Sequence, residues 1–122
     1  MTIHRRVIIY NHMVERLDTT FRALADPTRR AMLASLALGE RSIGELAQPF
    51  AISFEGASKH VRMLERAGLV TRRIEGRVHR LTLSTAPLAE ADAWIRQWER
   101  FWTLRLDRLD ALLKAEKEGE SE

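Results

Sequence analysis

Apolar positions in this chain recur every three to four residues over most of its length and every second residue over one short stretch. Asp26-Pro27 suits an N-cap followed by a first helical residue, and PTRRAMLASLAL then places Ala31, Leu33 or Ala34, and Leu38 near helical spacing before Gly39 stops the run. Ser42-Ile43-Gly44-Glu45 has the S-x-x-E capping-box pattern, in which serine and glutamate satisfy each other's orphan amides; Leu46 and Ala47 continue a helix that Pro49 limits. Ser53 is the next N-cap, and FEGASKHVRMLERA puts Ala57, Val61 and Leu64 on one stripe, ending at Gly68. Its opposite face carries Ser58, Lys59 and Arg62. After Gly68 the period falls to two: residues 69–74 and 77–83 flank Glu75-Gly76, a two-residue connection whose glycine supplies positive φ, and the pattern predicts a hairpin.

Pro87 opens the last periodic segment, predicted as one helix to about Ala115 with a fraying acidic tail from Glu116 to Glu122. Leu88, Ala91, Ile95, Trp98, Trp102, Leu109 and Leu112 follow at spacings of three and four, interrupted at Arg105, and Trp94, Phe101 and Leu104 widen the stripe. Aromatic side chains of roughly 150–250 Å² each form a patch larger than the few hundred Å² a monomer normally exposes, unless they complete the monomer's own core. A helix of about 28 residues also extends some 42 Å, longer than so small a body. The expectation is that part of the stripe, with Trp94, Trp98, Phe101, Trp102 and Leu109, meets a second subunit. The N-terminal Val7, Ile8, Ile9, Tyr10 and Met13 would pack beside it.

Length and composition narrow the class. At 122 residues the chain has the size of a single domain, expected to span 1–122, and its 45% hydrophobic and 30% charged residues are those of a globular protein. No apolar run reaches the roughly 18 residues of a membrane span, and the short Val7-Ile8-Ile9 stretch has neither the length nor the cleavage site of a secretory signal. With no cysteine, disulfides, thiolate metal sites and cysteine nucleophiles are excluded. No G-x-x-x-x-G-K, G-x-S-x-G or H-E-x-x-H motif occurs, so an enzyme is not expected, and neither is a cofactor. The net charge of +3 is uneven: residues 1–83 hold fourteen basic against eight acidic side chains, and residues 84–122 hold six against nine. The basic excess lies in the part that contains the short helices and the hairpin.

Two short helices joined through PFAI and followed by a basic hairpin are the parts of a winged helix-turn-helix, so the fold class is mainly α with a small β-hairpin and a long C-terminal dimerisation helix. In that arrangement the second helix of the motif (42–68) presents its N-terminal half to the major groove, and the wing (69–83) carries cations to flanking phosphates. The residues expected to contact double-stranded DNA are Ser53, Gly56, Ser58, Lys59, His60 and Arg62 on the helix, with Arg72, Arg73, Arg77 and Arg80 on the wing. Gly56 costs helix propensity, which a close approach to DNA would explain. Edge-strand charge that merely prevents aggregation is the duller reading of the wing arginines. Glu55 either favours the helix dipole or accepts from a cytosine amino group, and Phe54 either starts the core or lies against a DNA sugar edge. His60 and His79 are contact or structural residues, and His4 and His12 are isolated near the chain start. A winged-helix module that binds protein rather than DNA is the alternative function.

The strings ADPTRR, SKHVRMLERAGLV and GRVHRL resemble the ArsR/SmtB family of prokaryotic transcriptional repressors, from about Leu17 into the last helix. WIRQWERFWTLRLDRLDALL further resembles the branch that lacks metal-binding cysteines. The resemblance implies a cytoplasmic, nucleoid-associated homodimer acting as a repressor on palindromic operator DNA, with dimer contacts from segment 1–24 and from the helix over 87–115. The family's metal sensors have an E-L-C-x-C pattern where this chain has Glu45-Leu46-Ala47-Gln48-Pro49, with Ala47 and Pro49 in place of thiolates. The family's last-helix site, D-x-H with H-x-x-E, started at Asp92 would fall on Trp94, Arg105 and Arg108, which are not the expected ligands. No metal is therefore expected, and any effector would be a small molecule or a partner protein.

Overall fold

The computed structural model describes the backbone from Thr2 to Glu120 and the side chains of residues 11–119. Its elements run α1 (Thr2–Leu24), α2 (Pro27–Ala37), β1 (Arg41–Ser42), α3 (Ile43–Ala47), a 3₁₀ turn (Gln48–Phe50), α4 (Phe54–Arg66), β2 (Val70–Glu75), β3 (Val78–Leu83), α5 (Ala86–Arg96) and α6 (Glu99–Glu120). Contacts within the chain divide it into two compact units, one reaching to Ala91 and one starting at Asp92. No helix among the described residues is long and apolar enough to cross a membrane.

The three caps foreseen at α2, α3 and α4 are formed. Asp26 accepts from the Arg29 amide at 3.0 Å with Pro27 in the first turn of α2, and Ser42 and Glu45 close both halves of the capping box. Ser53 accepts from the Gly56 amide at 3.0 Å. The end of α4 is a Schellman turn: Leu69 N–H donates to the Leu64 carbonyl and Gly68 N–H to that of Glu65, with Gly68 at φ +72°. Leu64 and Leu69 are both fully buried, so the turn that stops the helix also delivers the chain to the sheet through the core.

That core unites Met32, Leu33 and Leu36 of α2, Ile43 and Leu46 of α3, Ala57, Val61 and Leu64 of α4, and Leu69, Val70 and Leu81 of the sheet region. On α2 the inward face differs from expectation. Leu38 is 83% exposed, Ala34 is exposed and Ala31 half-buried, because the inward stripe runs through Met32, Leu33 and Leu36. The cations of ADPTRR serve the fold: buried Arg29 donates to the carbonyls of Ala23 and Arg22 at 2.7 and 2.9 Å, and Arg30 donates to that of Leu24 at 2.7 Å. Both satisfy the last carbonyls of α1, where positive charge is favoured.

The sheet has three antiparallel strands in the order β1-β3-β2, so the hairpin gains a short third strand that no periodicity announced. Its turn also sits one residue later than expected. Glu75 pairs with Val78, so Gly76-Arg77 is the connection, with Gly76 at φ +61° in the first turn position.

The second unit corrects the expectation of one helix from Pro87 to Ala115. The chain breaks at Gln97-Trp98, where Gln97 N–H donates to the Trp94 carbonyl and Trp98 N–H to that of Ile95, the tighter i to i−3 pattern. Neither glycine nor proline marks this break, and it coincides with ring packing: Trp94 and Trp98 meet edge-on at 5.8 Å, and Trp98 and Phe101 lie tilted at 5.6 Å. The acidic tail expected to fray is helical as far as Glu120. Restarting the helix also changes its stripe. In α6, Trp102, Leu106, Leu109 and Leu113 follow at spacings of four, three and four, a row that bypasses Arg105; all four are exposed.

Candidate nucleic-acid interface

The face of α4 opposite its buried stripe is built by the Ser53 cap and by the absence of side chains at Gly56. A Cβ at Gly56 would come within 3.3 Å of Ser53 Oγ, so the position is kept small beside its own cap. Ser58 is half-buried, while Lys59 and Arg62 are exposed. Arg62 Nε reaches only the Ser58 carbonyl of its own helix, at 3.4 Å, and Lys59 has no partner among the described residues. Arg66, exposed one turn beyond Arg62, lengthens this cationic row; its spacing of four from Arg62 was the signal available in the sequence. His60 departs from the expected row. Its Nδ1 lies 3.3 Å from Arg29 Nη1 and 3.9 Å from Asp26 Oδ2, which places it against the α1–α2 junction as a packing residue.

The four wing arginines do not form one basic patch, because β-strand alternation divides them between two faces. Arg72 lies opposite Leu81 on the core side, with its side chain 22% exposed; its Nε donates to Glu65 of α4 at 3.2 Å and its Nη1 lies 2.8 Å from His79 Nδ1. It braces the sheet to α4, so unlike an open wing cation it already has a carboxylate partner. Arg73 and Arg80 are direct cross-strand partners on the other face, where acids meet them: Arg73 pairs with Glu40 and Glu75 at 3.0 Å, and Arg80 lies within 3.7–3.8 Å of Glu40, Glu45 and Glu75. These carboxylates were missed as part of the site, since Glu40 is 33 residues from Arg73 in the chain. Arg77 stands apart: exposed in the turn itself, it has no partner among the described residues.

Two carboxylates in the neighbourhood are held below their ordinary pKa. Asp26 is lowered chiefly by the Arg29 amide it accepts from, with the positive charges of Arg29 and, when protonated, His60 adding to the effect. Glu45 is lowered first by its capping-box bond to the Ser42 backbone and then by the Ser42 hydroxyl, with Arg80 contributing. Both caps are therefore ionised near neutrality, and Glu45 keeps its negative charge facing Arg80.

Among the residues expected at a dimer interface, Met13 is half-buried, and Trp94, Trp98, Phe101, Trp102 and Leu109 are exposed. Ile8 and Tyr10 lie outside the residues whose side chains are described.

Comparison with known proteins bears on this geometry. Residues 24–73 match the family described as helix-turn-helix domain. The HTH-type transcriptional regulator Rv2034 of Mycobacterium tuberculosis is 36% identical over 81% of this chain and 90% of its own length. The transcriptional repressor SdpR of Bacillus subtilis is 30% identical over 65% of this chain and 88% of its own. Among solved structures, that of an ArsR family transcriptional regulator, RHA00566, superposes with a TM-score of 0.69 at 36% identity, covering 73% of this chain and 92% of the other.

Proposed function

The chain belongs to the ArsR/SmtB family of winged helix-turn-helix transcriptional regulators, and from that premise we propose that it represses transcription as a homodimer bound to a palindromic operator. The observation that carries the reading is the division of its cations: Lys59, Arg62 and Arg77 are exposed and form no ion pair among the described residues, while Arg29, Arg72, Arg73 and Arg80 are paired with carbonyls or carboxylates of the same chain. On this reading Ser58, Lys59 and Arg62 meet base edges and phosphates from the start of α4, and Arg77 grips a flanking phosphate. The dimer presents two such helices to half-sites about one helical turn apart, roughly 34–36 Å. Repression then follows from occupancy of the operator.

The row Trp102, Leu106, Leu109 and Leu113 supports the dimer. It has the four-three-four spacing of a helix seam, and among the described residues of its own unit α6 has no second layer to cover it.

Gel-shift titrations on a selected operator and on random duplex, at two salt concentrations, test the function. Wild type is expected to bind both with affinity that falls steeply with salt and to prefer the operator, while Lys59→Ala and Ser58→Ala alter that preference. Salt-independent binding at background level would instead favour a protein-interaction module.

A further inference from the structure

We propose that Phe54 is a base-reading residue, its ring taking the 5-methyl group of a thymine in the major groove. The inference rests on the DNA-binding reading above and adds a contact that involves no hydrogen bond. Phe54 is 63% exposed and does not belong to the core, which leaves a large aromatic surface in water at the first residue of α4. Side chains lean toward a helix's N-terminus, so a ring at this position projects ahead of the helix, toward what α4 approaches end-on.

Its surroundings agree with that direction. Phe54 lines a small cleft together with Ser42 and Gly44 at the start of α3 and Arg77 and Val78 at the tip of the wing, and Val78 is itself exposed. The cleft thus joins the beginning of the recognition helix to the wing arginine that has no partner among the described residues. Arg77 has the charge to hold a phosphate there. Phe54 has no donor or acceptor and cannot do so. The apolar feature a major groove offers is the thymine methyl, and Phe is among the side chains that contact it. A sugar contact would also be apolar but carries no sequence information, and the two are separable by experiment.

Operators are selected from a random duplex library with the full chain, and each thymine of the recovered sequence is replaced singly by deoxyuridine, which removes only the methyl. Wild type is expected to lose about fourfold in affinity at one thymine of the half-site, the worth of one buried methyl-sized group. Phe54→Ala is expected to bind the unmodified operator more weakly and to be indifferent to the replacement there, while Phe54→Leu keeps part of the discrimination. Because the ring is exposed, both variants should retain the wild-type urea midpoint. The proposal is overturned if no thymine is sensed through its methyl, if Phe54→Ala senses it as strongly as wild type, or if that variant loses affinity equally on operator and random duplex. The last result would assign the ring to the sugar-phosphate backbone. Failure of wild type to bind any duplex in a salt-dependent way would instead remove the DNA-binding reading itself, and this proposal with it.

Discussion

Residue by residue, charge alone is a poor guide to DNA contact in this molecule, because several of its arginines, Arg72, Arg73 and Arg80 of the wing among them, are already paired. Arg72 and Arg73 are neighbours in sequence, yet one braces α4 through Glu65 and the other is neutralised by Glu40 and Glu75 on the opposite face. A guanidinium already held by carboxylates displaces few counterions when DNA arrives, whereas a free one displaces about one. Arg77→Ala is therefore expected to weaken binding about equally on operator and random duplex and to reduce the slope of log affinity against log salt by about 0.9 per bound subunit, about 1.8 for the dimer. Arg73→Ala should leave that slope unchanged. The two slopes are read from the same titrations, and equal reductions for both variants would contradict the division of labour drawn from the ion pairs.

Among the elements, the caps do most to locate the site, since α3 and α4 are short and each depends on satisfying its first-turn amides. Asp26 caps α2 in the same way, and its lowered pKa makes the cap measurable. Its unfolded-state carboxyl binds a proton before the folded one does, so the stability it contributes is present above the unfolded pKa, near 3.8, and is lost as pH falls through the folded value. Asp26→Asn keeps a good capping side chain but cannot titrate. Wild type should exceed the variant in urea midpoint at about pH 5, and the gap should narrow progressively as pH falls below about 3.8. A constant gap would mean that the carboxyl titrates at its ordinary value. The same scale shows where sequence reading succeeds: Asp26, Ser42, Ser53 and Gly68 act through amides or carbonyls two to four residues away, so their roles are legible without the fold. Arg72 and His60 depend on Glu65, His79, Arg29 and Asp26 across element boundaries, and theirs are not.

For the whole molecule, the proposed dimer assigns to the second unit the number of recognition helices that act together. Trp102, Leu106, Leu109 and Leu113 lie exposed at seam spacing, and a two-fold dimer would remove them from water. Wild type is expected to sediment as a dimer at micromolar concentration, and Trp102→Glu with Leu109→Glu to give a folded monomer that loses operator affinity while keeping weak, salt-dependent binding to random duplex. A stable wild-type monomer under those conditions would remove the dimer, and a folded double variant that remains dimeric would place the interface elsewhere.

What the amino-acid order determined by itself was local. Caps, the Ala57-Val61-Leu64 stripe and the glycine at the end of α4 follow from interactions within about one helical turn, and together with the basic hairpin they specified a winged helix-turn-helix. Tertiary structure decided everything that depended on facing. It turned α2 inward on Met32, Leu33 and Leu36, added β1 to the sheet, and placed Glu40 and Glu75 against Arg73 and Arg80. It also broke the last helix at Gln97-Trp98, where the phase of its apolar row is reset. The facing of α2, the added strand and the acid–arginine pairs are set by partners distant in the chain and are not written in a period of two or of 3.6 residues, while the break coincides with packing among Trp94, Trp98 and Phe101.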